Sequence, residues 1–143
     1  METLPIRLLP GQDLRRTLET VVAERGCRAA FVLSGIGSLA PAILRFAGAT
    51  GLTTIAGDVE ILTLSGSIAA IASHLHASVS DAQGAVVGGH LAYGCTVRTT
   101  AEVLLALLPD WNFSREPDVA TGFNELVVRP AAHPVNPTNG DGA

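Results

Sequence analysis

The sequence predicts an α+β domain, with one amphipathic helix near the N-terminus followed almost entirely by β-strands. Apolar residues recur at helical spacing most clearly between positions 13 and 26. After position 28 the segments show the alternation or the short apolar runs that are typical of strands. The 143 residues, 48% of them apolar, are enough for one domain with its own core, which we expect to span residues 4–130.

The first two elements are a strand and the helix. Residues 4–9 are apolar except for Arg7 and predict a short strand, which Pro5, having no N–H, limits to an edge of its sheet. Asp13 is expected to cap the helix, and Gly26 suits the position after its last turn. The apolar face of the helix consists of Leu14, Leu18, Val21 and Val22.

The rest of the domain is expected to be strands and turns. Residues 34–38 are small, and we interpret them as a close-packed turn, not a phosphate loop, because neither a Walker lysine nor a helix signal follows. Residues 96–108 fit a helix or a strand by periodicity alone. The tail, residues 131–143, is expected to be disordered. The predicted strands are 29–33, 59–68, 74–80, 85–91 and 126–128.

Composition and charge exclude several functional classes. The sequence has no apolar run of 18 residues and no signal-peptide pattern, so we expect a cytoplasmic protein that does not cross a membrane. Its net charge is −4, and its nine basic residues, all arginine, are scattered, which argues against autonomous DNA binding. The low charged fraction, 15%, is a mild indication of an oligomer.

Three histidines carry the most informative pattern. His74 and His76 share a face of their strand because side chains alternate along it. Asp81 suits the first position of a type I turn, and Gly84 suits the left-handed residue that closes a three-residue hairpin loop. Counting back from this loop places His90 directly opposite His76, so that all three imidazoles converge. A two-residue loop would instead place His90 opposite Leu75, on the other face.

Three neutral imidazoles suit a divalent metal, zinc in the first place, and also iron, nickel or copper. Such a set leaves a coordination position open for water or a substrate. The alternative is that strand histidines are merely exposed or hydrogen-bonded to the backbone. Cys95 follows His90 by five positions, which in a regular strand places it on the opposite face and argues against a role as fourth ligand.

Several segments in order resemble the PPC domain, the plant and prokaryote conserved domain also called DUF296. The resemblance covers the chain from about Pro5 to Arg129. It includes the histidine hairpin and its flanks. The matching segments are 34–39, 60–66, 74–81, 87–91, 94–102 and 121–127.

This resemblance implies an antiparallel sheet packed with a helix, a homotrimer, and a strand at residues 96–108. It is closest to the prokaryotic, stand-alone version of the domain, in which the positions of His74, His76 and His90 are thought to bind metal. Plant members follow AT-hook motifs in DNA-binding proteins, and prokaryotic members are often labelled DNA-binding by association. This sequence has no Arg-Gly-Arg hook core. A DNA-associated regulator and a metal-dependent enzyme therefore remain as alternatives to a metal-binding trimer.

Two further groups are candidates for a site beside the metal. Arg98 could hold a small anionic ligand bidentately and Glu102 could act as a general base, although an Arg–Glu cross-strand pair or a subunit contact explains them slightly better. Residues 115, 116 and 118 are expected to lie in a loop and could reach the site of a neighbouring subunit. They are Arg115, Glu116 and Asp118.

Overall fold

The computed structural model describes residues 1–70 and 72–132, and in these ranges it contains one helix and ten strands. Of the predicted tail, residues 131–143, the part from 133 to 143 lies outside the described residues, and His133 lies in that part. The helix is α1 (Leu14–Glu24). The strands are β1 (Glu2–Leu8), β2 (Ala29–Leu39), β3 (Ala42–Arg45), β4 (Thr53–Ile55), β5 (Val59–Ala69), β6 (His74–Ser80), β7 (Val86–Leu91), β8 (Val97–Leu107), β9 (Trp111–Pro117) and β10 (Asn124–Pro130).

Eight strands form one antiparallel sheet in the order β1-β8-β2-β5-β6-β7-β3-β4, and β9 and β10 form a separate hairpin. This arrangement confirms the α+β prediction and the strand interpretation of residues 96–108. Strand β1 pairs only with β8, so Pro5 lies at a sheet edge as predicted.

Helix α1 covers one face of the sheet. The Asp13 carboxylate accepts a hydrogen bond of 2.9 Å from the backbone N–H of Arg16, and Gly26 follows the helix with φ +68°, so both predicted ends are confirmed. Leu14, Leu18 and Val22 are buried in a core that also contains inward-facing residues of β1 to β8. Burial of this face stabilises the helix, since a lone segment of 11 residues would be marginal in water.

The opposite face of the sheet is covered only in part by the β9–β10 hairpin. Phe113 of β9 is buried against Ala29 and Ala69 and lies edge-to-face with Phe31, with ring centroids 5.5 Å apart. Further along this face, apolar side chains of β2 and β5 are exposed. They are Leu33, Ile36 and Leu62.

Two local predictions were wrong. Residues 34–38 are not a turn: β2 continues through them, with shifts in its pairing to β8. The small residues are explained instead by close packing between strands, because a Cβ on Gly37 would meet the carbonyl oxygen of Thr100. Arg115 and Glu116 lie on strand β9, not in a loop, because that segment pairs along its length with β10.

Regular structure extends from Glu2 to Pro130, and the predicted domain limits of 4 and 130 stay a prediction. Within the described residues, no helix is both long and apolar enough to cross a membrane.

Candidate metal centre

The β6–β7 hairpin has the register that the turn residues predict. The N–H of Asp81 donates to the carbonyl of Ala85, the N–H of Gly84 donates to the carbonyl of Asp81, and both distances are 3.0 Å. The Asp81 carboxylate also accepts from the backbone N–H of Gln83 and of Ala85, at 2.9 Å each. Gly84 has φ +80°, the left-handed conformation expected of it. As a result His76 is paired with His90.

The three histidine rings converge on one point above the sheet. The Nε2 atoms of His74 and His76 are 3.0 Å apart, and each lies 3.0 Å from Nδ1 of His90. His74 and His90 are half-buried, whereas His76 is exposed. Their ligand atoms form a group that could hold a metal ion.

Hydrogen bonds among the rings cannot account for this triangle. Each ring nitrogen carries either one hydrogen or one lone pair, so at least two of the three nitrogens are alike and the contact between those two is not a hydrogen bond. A cation among the three nitrogens would accept all three lone pairs. At zinc–nitrogen bonds of about 2.0–2.1 Å, neighbouring ligand nitrogens lie about 2.8–3.0 Å apart for a right angle at the metal and about 3.3–3.4 Å apart for the tetrahedral angle. The observed separation of 3.0 Å lies within these limits.

The surroundings favour the neutral form of two of the rings. Burial lowers the pKa of His74, and the positive charge of Arg115 lowers it further. Burial likewise lowers the pKa of His90, with a further contribution from Arg45. Neutral imidazole is the form that binds a metal.

Three arginines come from different elements to line a cleft beside the triplet. Arg45 of β3 is paired with His90 of β7, and Arg115 reaches across from β9 to donate to Oγ of Ser67 at 2.8 Å. Arg15 of α1 donates to the backbone carbonyls of Ser73 at 2.8 Å and Leu91 at 3.1 Å.

Sequence reasoning missed Arg15 and Arg45. Their place at the site depends on how α1 and β3 pack against the hairpin, and no local pattern encodes that packing. Arg115 was expected to reach a neighbouring subunit's site, but it lies at the triplet of its own chain. Of its two predicted companions, Glu116 pairs with Arg129, and Asp118 lies in the β9–β10 turn.

The structure does not place Arg98 and Glu102 beside the histidines, so the prediction of their position is wrong within this chain. Strands β2 and β5 separate β8 from β6, which puts roughly 14 Å of sheet between them at about 4.8 Å per strand. Arg98 pairs instead with Asp58 at 2.8 Å, and Glu102 lines a different, smaller cleft. A catalytic role for either residue stays a prediction.

Cys95 is not part of the group of ligand atoms, as predicted, although it lies in the connection between β7 and β8 and not on the opposite face of a strand. Its Sγ accepts from the N–H of Ile43 at 3.1 Å and lies 3.3 Å from the Ile43 carbonyl oxygen. The side chain is fully buried, and burial raises the pKa of its thiol to about 11. Both cysteines are free thiols.

Comparison with known proteins places these features in a family. A curated relative, the "Bifunctional protein GlmU" of a Synechococcus strain, is 48% identical over 132 residues, which is 92% of this chain. The chain spans about a fifth, 21%, of the length of that relative.

Solved structures share the fold. A hypothetical protein from Salmonella has a TM-score of 0.88 at 38% identity, covering 92% of this chain and 95% of its own. A metal-containing protein from Archaeoglobus fulgidus has a TM-score of 0.74 at 26% identity, covering 89% of this chain and 94% of its own. A protein from Ralstonia eutropha whose name proposes DNA binding matches at 24% identity and a TM-score of 0.76, over 86% of this chain and 89% of its own, and shows the fold alone.

The sequence profile of the Plants and Prokaryotes Conserved domain, abbreviated PCC or PPC, matches residues 1–109. That match covers most of the chain, from β1 through β8, and includes all three histidines of the triplet. The chain therefore belongs to the Plants and Prokaryotes Conserved domain family.

Proposed function

We propose that this chain is a metal-binding domain that holds one divalent ion, zinc, through His74, His76 and His90. The observation that carries the proposal is the triangle of ring nitrogens with sides of 3.0 Å, which hydrogen bonding alone cannot satisfy. The Archaeoglobus relative, named a metal-containing protein, supports it. An all-nitrogen set of three neutral ligands suits zinc and leaves a further position open.

Metal analysis of the purified chain, prepared without chelators, tests this proposal. We expect about one zinc per chain in the wild type and a loss of most of it in His76→Ala, because two imidazoles hold the ion far more weakly than three. His76 is exposed and on the face away from the core, so its removal should leave the fold intact.

A matched control is available in His133→Ala, which removes the remaining histidine of the chain from a position outside the described residues. It should retain the full metal content. Wild-type protein that contains no stoichiometric metal, and takes up none when zinc is supplied, would contradict the proposal.

We further propose that three copies of the chain assemble. Leu33, Ile36 and Leu62 leave an apolar surface on the sheet face opposite α1, and contiguous exposed apolar surface is typical of interfaces. Light scattering of the purified protein should give three times the chain mass of 14.7 kDa.

The charge distribution does not favour the DNA-binding alternative. Three arginines lie at the metal centre, and three more pair with carboxylates, so few remain to neutralise phosphates. These pairs are Arg25 with Glu2, Arg98 with Asp58 and Arg129 with Glu116.

A further inference from the structure

The cleft beside the histidine triplet has a volume of ≈ 1060 Å³ and a strong excess of positive charge. Among the described residues, its charged lining consists of Arg15, Arg45, Arg115 and Glu125, together with two of the histidines. One third of the nine arginines of a chain with net charge −4 is thus gathered at one cleft. A bound divalent ion would raise the excess further. Such a concentration of charge favours an anionic occupant.

The guanidinium group of Arg45 lacks a counter-ion among the described residues. Arg45 is paired in register with His90, which places it beside the triplet, and it is half-buried. In the part of the chain that the structure describes, its guanidinium has no hydrogen bond and no carboxylate within ion-pair distance, unlike Arg98 or Arg129. A half-buried guanidinium group without a counter-ion is available to bind an anionic ligand from solution.

Arg115 lies on the other side of the triplet, next to His74. One of its nitrogens donates to Oγ of Ser67, which holds the head group in place, and no carboxylate among the described residues pairs with it. Arg15 differs from both, since Ser73, Leu91 and Glu19 already occupy its donors. It contributes positive charge to the cleft, while Arg45 and Arg115 have donors to offer.

We propose that the cleft binds a small oxyanion, a carboxylate or a phosphate group, between Arg45 and Arg115 and facing the metal ion. The inference rests on the proposed function for that ion: three histidine ligands would leave it a coordination position for an oxyanion, and a guanidinium group can hold a carboxylate or phosphate through paired N–H donors. The volume allows the oxyanion to be one end of a small organic molecule. The apolar part of the lining, which includes Leu52 and Phe123, would contact the remainder.

Isothermal titration of the zinc-loaded chain with inorganic phosphate, and separately with succinate, tests the proposal. We expect saturable binding of at least one anion tighter than about 1 mM, and the two titrations distinguish phosphate from carboxylate. Arg45→Gln and Arg115→Gln should each weaken binding about tenfold or more, with zinc content unchanged. Arg25→Gln, which removes an arginine paired with Glu2 far from the cleft, is the matched control and should bind as the wild type does.

The outcomes separate this proposal from the metal proposal. Zinc-loaded wild type that binds neither anion overturns the inference and leaves the metal site standing, and so does binding that Arg45→Gln and Arg115→Gln do not weaken. A chain that takes up no zinc but binds an anion in an Arg45-dependent manner contradicts the metal proposal and supports the oxyanion site. Because Arg45 has no partner to lose among the described residues, its substitution should not unfold the chain, which a thermal melt verifies.

Discussion

Cys95 is close to the histidine triplet in sequence but has a structural environment and not a metal-binding one. Cys95 lies only five positions after a histidine of the triplet, yet its sulfur bonds to the backbone of Ile43 and is fully buried. Strand alternation predicted this separation, but β7 ends at Leu91, so Cys95 lies in the connection between β7 and β8 and alternation does not explain its position. The burial of Cys95 itself depends on the contact between β3 and the segment before β8, which no local pattern indicates.

The raised pKa of Cys95, about 11, predicts both low reactivity and a pH-dependent stability. In a Cys27→Ala chain, whose remaining cysteine is Cys95, a thiol reagent at pH 8 should label the unfolded protein and leave the folded protein almost unlabelled. Between pH 9 and pH 11 the thiol ionises in the unfolded protein, where its pKa is the ordinary 9.0, but stays protonated in the folded protein. The free energy of unfolding that the raised pKa contributes is therefore fully present below pH 9 and is lost as the pH rises towards 11. For a rise of the pKa from 9.0 to about 11, that contribution is roughly 3 kcal/mol.

The free energy of unfolding of Cys27→Ala, compared with Cys27→Ala/Cys95→Ala between pH 8 and pH 11, measures this effect. The difference between the two chains should shrink across the upper half of that range. Rapid labelling of the native protein at pH 8 would contradict the assignment of a protonated, buried thiol.

At the scale of elements, local chemistry predicted the hairpin well and the β9 strand poorly. The loop of β6–β7 is closed by its own residues, Asp81 and Gly84, so the pairing of His76 with His90 follows from a few neighbouring positions. Residues 111–117 contain adjacent charges and a proline, which resemble a loop. They form a strand because β10 pairs with them in register along their whole length, across the short turn of residues 118–123, and only residues 126–128 of that partner were predicted as a strand.

Substitution of the turn residue tests how far the metal centre depends on its hairpin. Asp81→Ala removes two hydrogen bonds from the carboxylate to backbone N–H groups, at Gln83 and Ala85, and should cost about 1–2 kcal/mol of unfolding free energy. The affinity for zinc should fall as well, because part of the free energy of zinc binding would then be used to order the hairpin loop. Chemical unfolding and a zinc competition titration measure the two effects. Gln83→Ala is the control, because only the backbone of Gln83 takes part in the turn.

At the scale of the whole molecule, the sequence predicted which segments are strands but not the order in which they meet. Strand β8 inserts between β1 and β2, which carries Arg98 and Glu102 three strands away from the histidines, while β3 and α1 bring in two arginines that no motif marks. Periodicity reports which face of a strand is apolar and says nothing about its neighbours. The candidate ligands could therefore be predicted from local patterns, whereas the charged cleft around them could not.

The exposed apolar face of the sheet carries the last prediction, on assembly. Leu33 and Leu62 lie on neighbouring strands and are 52% and 46% exposed. Exposing these apolar side chains to water does not stabilise a lone chain. A charge placed there and buried between copies would lack a partner, so Leu33→Asp and Leu62→Asp should weaken the trimer by at least about tenfold in dissociation constant. Val119→Asp, at a fully exposed apolar position in the β9–β10 turn, should leave assembly unchanged. Light scattering over a dilution series distinguishes the three variants, and trimers that persist in both leucine variants would place the interface elsewhere.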